Sequence, residues 1–198
     1  LPRRMWAGGE LEFLAPLRVG DTVTRVSEIT DVSSKQGRSG ELCFVTVRHS
    51  WTTPRGLAVR ERQDIVYRGV EGASPAAAAP APESEAAWRR SWPCDAVLLF
   101  RYSALSFNGH RIHYDHPYVT EIENYPGLVV HAPVQATALA ALAAEALGEP
   151  PRRFTFRGVA PLFANGPFTA KAARDGGGLR LWISDSSGAP TMTAHAEG

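Results

Sequence analysis

The sequence element that most restricts the fold is Val134-Gln-Ala-Thr-Ala-Leu-Ala-Ala-Leu-Ala-Ala-Glu-Ala-Leu-Gly148. Alanine, leucine and glutamate are among the strongest helix formers, so this stretch predicts a helix. Pro133 suits the first turn, and Gly148 stands where a helix commonly ends. Apolar side chains lie on nearly every side of the predicted helix, which is typical of a helix buried all round. Other elements must therefore enclose it.

Strand-like segments on both sides of the helix supply this enclosure. They are rich in valine, threonine and aromatic residues, and turn signals such as Thr53-Pro-Arg-Gly56 separate them. The upstream segments are 21–29, 41–51 and 57–67, and the downstream ones are 153–159, 168–174, 179–184 and 191–196. No regular alternation of strands and helices indicates a parallel sheet. The pattern predicts an α+β fold of the hot-dog type, a curled antiparallel sheet wrapped around a central buried helix.

A change of composition divides the chain. Residues 72–87 consist largely of alanine, proline, serine and glutamate, with too few large apolar side chains to pack. This composition predicts a linker. We therefore expect an N-terminal half over residues 1–70, a linker over 71–92, and a C-terminal half over 93–198 that contains the central helix.

Charge and cysteine content narrow the classes of function. The chain of 198 residues has 21 basic and 20 acidic side chains, so its net charge of +1 provides no general attraction for nucleic acid or an anionic membrane. Cys43 and Cys94 lack the spacing of metal ligands and are typical of a reducing compartment. No apolar run approaches the roughly 20 residues of a membrane span. We expect a cytoplasmic protein with no bound metal and no nucleic-acid or membrane partner.

A polar, histidine-rich segment precedes the helix: Ala104-Leu-Ser-Phe-Asn-Gly-His-Arg-Ile-His-Tyr-Asp115. It resembles, without a gap, the A-L-S-x-D-x-N-P-x-H-x-D stretch of simple (R)-specific enoyl-CoA hydratases in the MaoC-like family. It is more similar to the branch that contains hydroxyacyl-thioester dehydratase type 2 and the mesaconyl-C4-CoA and itaconyl-CoA hydratases, where Phe-Asn precedes H-x-I-H-Y-D. Gly127-Leu-Val-Val-His-Ala-Pro133 also resembles the I-V-H-G segment that opens the family's central helix.

The N-terminal half extends the resemblance over nearly the whole chain. Pro16-Leu-Arg-Val-Gly-Asp21 and Glu61-Arg-Gln-Asp-Ile-Val-Tyr67 look like the first half of double-hot-dog members of the family. The resemblance implies a double hot dog whose first half is non-catalytic and, in this chain, lacks its own helix. We expect a further stretch before Leu1, and we expect pairing of the two halves within the chain or a homodimer.

The resemblance also assigns roles within the motif. Hydration of a conjugated thioester needs a base that takes a proton from water, and His113 stands at the family's histidine position. Asn108 replaces the catalytic aspartate of the simpler hydratases, and its amide can orient water without accepting a proton. His110 replaces the family's asparagine, where it either shapes the loop or serves as a second acid.

Further residues are predicted to hold the substrate. The backbone N–H of Ala132 occupies the family's oxyanion position near the positive end of the helix, where it can donate to the thioester oxygen. His131 lies beside it, where it either has a structural role or joins the predicted substrate contacts. Arg111 is a candidate partner for a substrate carboxylate, and Arg152 and Arg153 are candidates for the phosphates of coenzyme A.

These residues predict a hydro-lyase that adds or removes water across the α,β double bond of an acyl-CoA. A C5 dicarboxylic acyl-CoA such as mesaconyl-C4-CoA or itaconyl-CoA is the first candidate. Coenzyme A is then part of the substrate, and no separate cofactor is expected. The alternative with the same mechanism is a 3-hydroxyacyl-ACP dehydratase, with a carrier protein as partner. Hot-dog folds also host thioesterases and non-catalytic thioester-binding subunits, although a thioesterase needs a carboxylate where this chain has Asn108.

Overall fold

The computed structural model describes residues 3–37, 40–69 and 86–198. Within these ranges nine antiparallel strands form one sheet. The strands are β1 (Arg3–Phe13), β2 (Thr24–Gly37), β3 (Gly40–Thr53), β4 (Gly56–Arg68), β5 (Trp88–Trp92), β6 (Arg153–Gly158), β7 (Phe168–Asp175), β8 (Gly178–Ser184) and β9 (Pro190–Glu197). Their spatial order is β2-β3-β4-β1-β6-β9-β8-β7-β5, so two meanders meet at β1 and β6.

Two α-helices lie in the C-terminal half of the described chain: α1 (Ala96–Leu105) and α2 (Ala132–Leu147). A 3-10 turn (Arg111–His113) and a short π-helix (Tyr118–Ile122) lie between them. The helix α2 packs against all five strands from β5 to β9. It ends at Gly148, whose φ of 81° is the left-handed conformation that glycine adopts without strain.

The core lies between α2 and the strands of the C-terminal half. Large side chains that are sealed from solvent fill this space: Leu99, Leu139, Leu142, Phe154, Leu179, Leu181, Ile183 and Met192. The predicted buried central helix is therefore confirmed. Burial of these apolar side chains, which come from both the helix and the sheet, is the main favourable contribution to the folding free energy of this half.

The N-terminal half consists of the four long strands β1–β4, and residues 3–37 and 40–69 contain no α-helix. Ile29 and Val32 on β2 remain largely exposed. This agrees with the prediction of a first half without its own helix. The strand β1 joins this half to the rest of the molecule because it pairs with β4 on one side and with β6 on the other.

Three elements differ from the predicted pattern. Most of β1 and all of α1 were not predicted, and residues 88–92 were expected to end the linker. These residues instead form β5, an edge strand that pairs with β7. Residues 71–85 of the predicted linker lie outside the described residues.

Two of the bulk expectations can be compared with the structure. No helix in the described part of the chain is long and apolar enough to cross a membrane. Cys43 and Cys94 are both free thiols, and Cys94 is buried, which raises the pKa of its thiol to about 11. A thiol with such a pKa stays protonated at neutral pH and acts as an ordinary packing residue.

Candidate active site

The predicted motif forms a tight loop between α1 and the 3-10 turn. The side chain of Asp95 caps α1 by accepting a hydrogen bond from the N–H of Leu98 at 2.7 Å. After α1, Phe107 has a φ of 52°, which is uncommon for a residue with a side chain. The N–H of Asn108 then donates back to the carbonyl oxygen of Ser103 at 2.9 Å. This return turns the chain so that His110 and His113 face the N-terminal end of α2.

His113 is buried and oriented by the backbone of the segment that leads into α2. Its Nδ1 lies 2.7 Å from the carbonyl oxygen of Val129, and the N–H of Val129 donates to the carbonyl oxygen of Ile112 at 3.0 Å. Because a carbonyl oxygen only accepts, Nδ1 must carry the proton. In the neutral ring the lone pair therefore lies on Nε2, which is the arrangement that a general base requires.

Three histidine rings form a cluster at this point. The rings of His113 and His131 are stacked, with centroids 3.7 Å apart and planes inclined by 17°. His110 meets His113 edge to face, with 5.5 Å between the centroids. Sequence reasoning predicted all three as site residues, and the structure brings them together.

Burial dominates the electrostatics of the cluster. It lowers the pKa of His113 to about 4, and the hydrogen bond to Val129 opposes this effect only in part while His110 adds to it. Burial, followed by His113 and His110, lowers the pKa of His131 to about 3. The pKa of His110 is also lowered, mainly by burial. All three rings are therefore neutral near pH 7, and His113 is free to accept a proton.

Asn108 is placed at the start of the same loop. Its Oδ1 accepts a hydrogen bond from the N–H of His110 at 3.1 Å, which makes the residue a turn-forming asparagine. The carbonyl side of the amide is thus occupied, and the NH₂ group is the part that can serve a ligand. The predicted orienting role for Asn108 then falls to its two N–H donors.

The first turn of α2 offers one backbone donor. The N–H groups of Val134 and Gln135 both donate to the carbonyl oxygen of His131, and Pro133 has no N–H. Helices leave the N–H groups of their first turn without partners within the helix. The N–H of Ala132, one residue from the stacked histidine, is therefore the backbone donor that this turn leaves open, and its role in holding an oxyanion stays a prediction.

Burial favours the structural one of the two roles predicted for His131. Its exposed fraction is only 1%, so this side chain cannot serve as a surface for substrate or coenzyme A. Its Nε2 lies 2.9 Å from Oγ of Ser103, and the ring of Tyr102 covers part of its outer side. Ser103 was not predicted, because its contact with His131 spans 28 residues and no spacing in the sequence signals it.

Arg111 lies within the motif but already has a partner. Its Nε and Nη2 both donate to Oδ2 of Asp115, at 2.9 and 2.7 Å, and its guanidinium lies over the ring of Tyr118. This ion pair lowers the pKa of Asp115. The side chain remains half exposed, and the remaining nitrogen, Nη1, points to no partner among the described residues.

Arg152 and Arg153 lie far from the histidine cluster along α2. They follow the C-terminal end of this 16-residue helix, whereas His131 precedes its N-terminal end. A helix of that length spans about 24 Å. Arg153 also pairs with Glu10 at 3.0 Å. The two arginines are therefore not part of the histidine cluster, and their contact with the phosphates of coenzyme A, at the far end of the pantetheine arm, stays a prediction.

The part of the chain that the structure describes contains no group of three or more His, Cys, Asp or Glu side chains arranged to hold a metal ion. Its candidate site is composed of a neutral histidine base, an asparagine amide and a backbone N–H at a helix N-terminus. Such a set can move a proton and stabilise an oxyanion.

Comparison with known proteins gives consistent results. The model of the family described as hydroxyacyl-thioester dehydratase type 2 matches residues 1–164. The mesaconyl-C(4)-CoA hydratase of Chloroflexus aurantiacus is 43% identical over 198 residues, which cover 99% of this chain and 70% of that protein.

Solved structures support the fold. The crystal structure of HtdX from Mycobacterium tuberculosis matches with a TM-score of 0.71 and 18% identity, over 98% of this chain and 76% of that one. A conserved hypothetical protein of M. tuberculosis with a double hotdog fold matches with a TM-score of 0.61 and 16% identity, over 96% and 73% of the two chains. At these identities the matches show the fold alone, and they confirm the double hot dog.

Proposed function

This chain belongs to the hydroxyacyl-thioester dehydratase type 2 family and is a hydro-lyase, and we propose that it hydrates an enoyl-CoA with His113 as its base. The observation that carries the proposal is the orientation of His113. Its Nδ1–H is bound to the carbonyl oxygen of Val129, and its Nε2 is left with a lone pair. Burial keeps this ring unprotonated at neutral pH.

The proposed reaction needs two protein donors and one base. The thioester oxygen accepts a hydrogen bond from the N–H of Ala132, and the amide of Asn108 orients a water molecule. His113 Nε2 takes one proton from this water as the oxygen forms a bond to the β-carbon. The electron pair of the double bond moves to an enolate on the thioester, and the imidazolium then returns the proton to the α-carbon. Dehydration is the reverse sequence.

A base with a low pKa can still perform these steps because its environment changes during the reaction. The developing enolate places negative charge near the ring and favours the imidazolium. The carbonyl oxygen of Val129 accepts from Nδ1–H in both protonation states, so the ring need not reorient. His110, at the edge of the same ring, is the proposed second donor or loop-shaping residue.

We propose a C5 dicarboxylic acyl-CoA, mesaconyl-C4-CoA or itaconyl-CoA, as the substrate. Identity of 43% over nearly the whole chain to a mesaconyl-C(4)-CoA hydratase supports this choice. Arg111 is the proposed partner of the free carboxylate through Nη1, the nitrogen that Asp115 leaves unused. The cytoplasm, where two free thiols persist, is the proposed location, and a homodimer of the double hot dog is the proposed assembly.

A thioesterase on the same fold is the competing class. Such an enzyme would need a carboxylate aimed at the carbonyl carbon. The motif offers Asn108 at the relevant position, and its one carboxylate, Asp115, is held by Arg111. The geometry of the described residues therefore favours hydration.

A panel of thioesters tests the proposal. The enzyme is incubated separately with mesaconyl-C4-CoA, itaconyl-CoA, crotonyl-CoA and a 3-hydroxyacyl-ACP. Two products are measured in each case: the acyl thioester that has gained or lost one water molecule, and free thiol. We expect hydration without thiol release, with the highest kcat/KM for a dicarboxylic substrate. Arg111→Gln should lower kcat/KM for that substrate more than for crotonyl-CoA.

Other outcomes have definite meanings. Thiol release without hydration would replace the proposal with a thioesterase. Turnover of the carrier-protein substrate alone would assign the chain to fatty-acid synthesis. If Arg111→Gln lowers kcat/KM equally for the dicarboxylic substrate and for crotonyl-CoA, Arg111 does not select the substrate.

A further inference from the structure

The buried ring of His131 is enclosed between two other aromatic rings. His113 is stacked on it at 3.7 Å, and Tyr102 from α1 contacts it at 4.8 Å with the planes inclined by 57°. His131 itself immediately precedes α2, whose first turn is fixed by two hydrogen bonds to the His131 carbonyl oxygen. The backbone of His131 is therefore held by the helix, while its side chain supports the proposed base.

One polar contact sets the rotation of the His131 ring. Nε2 shares a hydrogen bond of 2.9 Å with Oγ of Ser103, which is itself buried on α1. The other ring nitrogen, Nδ1, is sealed from solvent and has no hydrogen-bond partner among the described residues. The hydrogen bond with Ser103 therefore fixes the side-chain torsion angles of His131.

His113 needs such a support for a geometric reason. A single hydrogen bond from Nδ1 to Val129 tolerates a range of lengths and angles, so the side-chain torsions of His113 can still swing the ring over that range. A swing of this kind would move Nε2 on the opposite side of the ring, the atom that accepts the proton. A flat surface parallel to the ring removes this freedom, and His131 provides it.

We propose that Ser103 and His131 form a positioning pair that fixes the ring plane of His113 and so aims its Nε2 at the reacting water. The inference rests on the proposed function, since it treats His113 as the base. Both members of the pair are buried, so we assign them an action through His113 and not a contact with substrate. The pair joins α1 to the start of α2 and thereby connects the two elements that carry the site.

The electrostatic setting is compatible with this role. Two stacked imidazolium ions would repel each other, so His131 must remain neutral while His113 holds the proton. A neutral aromatic face attracts a cation above it, which favours the imidazolium of His113 during the reaction. Burial, with added repulsion from His113 and His110, lowers the pKa of His131 to about 3 and keeps it neutral.

Among the described residues, the titratable groups recorded around the stack are two neighbouring rings and two more distant charged side chains. His110 faces His113 from the loop, and Tyr102 faces His131 from α1. Glu123 and Arg4 act on His110 with opposite signs. None of these groups supplies a second hydrogen bond to His131.

The test compares three variants with a matched control. Ser103→Ala removes the hydrogen bond, Ser103→Thr keeps the hydroxyl, and His131→Phe keeps a flat ring without the nitrogen. Thr191→Val is the control, because it removes another buried hydroxyl that bonds to α2, through Gln135 at 2.8 Å. For each folded variant, kcat and KM for the preferred enoyl-CoA are measured, and the histidine ring of His113 is titrated by NMR with ¹⁵N labelling.

Ser103→Ala and His131→Phe should lower kcat on the order of 10-fold to 100-fold, because a small misplacement of a catalytic group has effects of that size. KM should change less than about twofold, since substrate contacts are retained. The loosened ring of His113 gains access to water, so its pKa should rise from about 4 toward its ordinary value of 6.5. Ser103→Thr should restore both kcat and the pKa.

Two results would overturn the proposal. In the first, folded Ser103→Ala and His131→Phe keep the parent's kcat and the parent's pKa for His113. In the second, Thr191→Val lowers kcat as much as Ser103→Ala does, which would mean that general softening of the core is responsible. The NMR titration needs no substrate, so it judges the positioning pair even if the parent hydrates none of the enoyl-CoAs and the proposed function fails.

Discussion

His113 illustrates what sequence can and cannot predict about a single residue. Its identity as the proposed base follows from the histidine motif, which is local in the chain. The bond from its Nδ1 to Val129 and the stack on His131 join residues that lie 16 and 18 positions away. Contacts of this range depend on how α1 and the 3-10 turn meet the segment 129–131 before α2, so neither the tautomer of His113 nor the contribution of Ser103 could be predicted.

Stability should depend on pH through the buried histidines. The ordinary pKa of a histidine side chain is 6.5, and the folded values are about 4 for His113 and about 3 for His131. Below pH 6.5 these histidines become protonated in the unfolded chain but stay neutral in the native protein. Unfolding therefore becomes more favourable as the pH falls. The contribution of these neutral rings is fully present above pH 6.5 and is lost as the pH falls toward 4 and 3.

Thermal unfolding at pH 7.5, 6 and 5 measures this effect. We expect Tm to fall with each step, in a range above the pH at which carboxylates titrate. His131→Phe lacks one of the titrating rings, so the difference in its Tm between pH 7.5 and pH 5 should be smaller than in the parent. An equal difference in the two proteins would show that His131 is not buried as described.

The helix α2 was the element best predicted, and its neighbours α1 and β5 were not. Strong helix formers and a terminal glycine give α2 a local signal that agrees with its burial. The segment of α1 is apolar and short, and residues 88–92 follow a stretch of alanine and proline, so neither has a clear period. The strand β5 exists because β7 offers it an edge to pair with, which only the folded sheet provides.

Leu142→Ala tests the enclosure of α2. Leu142 is completely buried between the helix and the sheet, so its truncation should lower the free energy of unfolding by about 2–5 kcal/mol. Thr137→Ala, at an exposed position of the same helix, should change it by less than about 0.5 kcal/mol. Urea unfolding of both variants provides the values. Equal values for the two variants would contradict a wrapped central helix.

At the scale of the whole molecule, the two halves share one sheet through β1. The fold class could be predicted because a series of strands combined with a single buried helix allows few layered arrangements. The position of β1 between β4 and β6 could not be predicted, because β1 pairs with residues 46 to 65 positions away in β4 and 141 to 149 positions away in β6. Gly8 and Gly9 lie at this junction, where neighbouring backbone leaves no room for a side chain.

Gly9→Ala should therefore weaken the connection between the halves. A Cβ at this position would lie 2.6 Å from the carbonyl oxygen of Arg62 and 3.0 Å from the ring of Phe156. Crowding of this kind costs about 1–3 kcal/mol of unfolding free energy. Gly177→Ala is the control, since a Cβ there meets nothing within 4 Å. If both variants unfold at the same urea concentration as the parent, the described pairing of β1 with β4 and β6 is wrong.

The most direct measurement of the central claim is kcat/KM of His113→Ala for the enoyl-CoA that the parent hydrates best, with circular dichroism to show that the variant is folded. Loss of a general base should lower the rate by about 10² to 10⁴. We expect a loss in this range, with the fold retained. A folded His113→Ala that hydrates the same substrate within a fewfold of the parent's rate would contradict it, and the base would then have to be sought at His110.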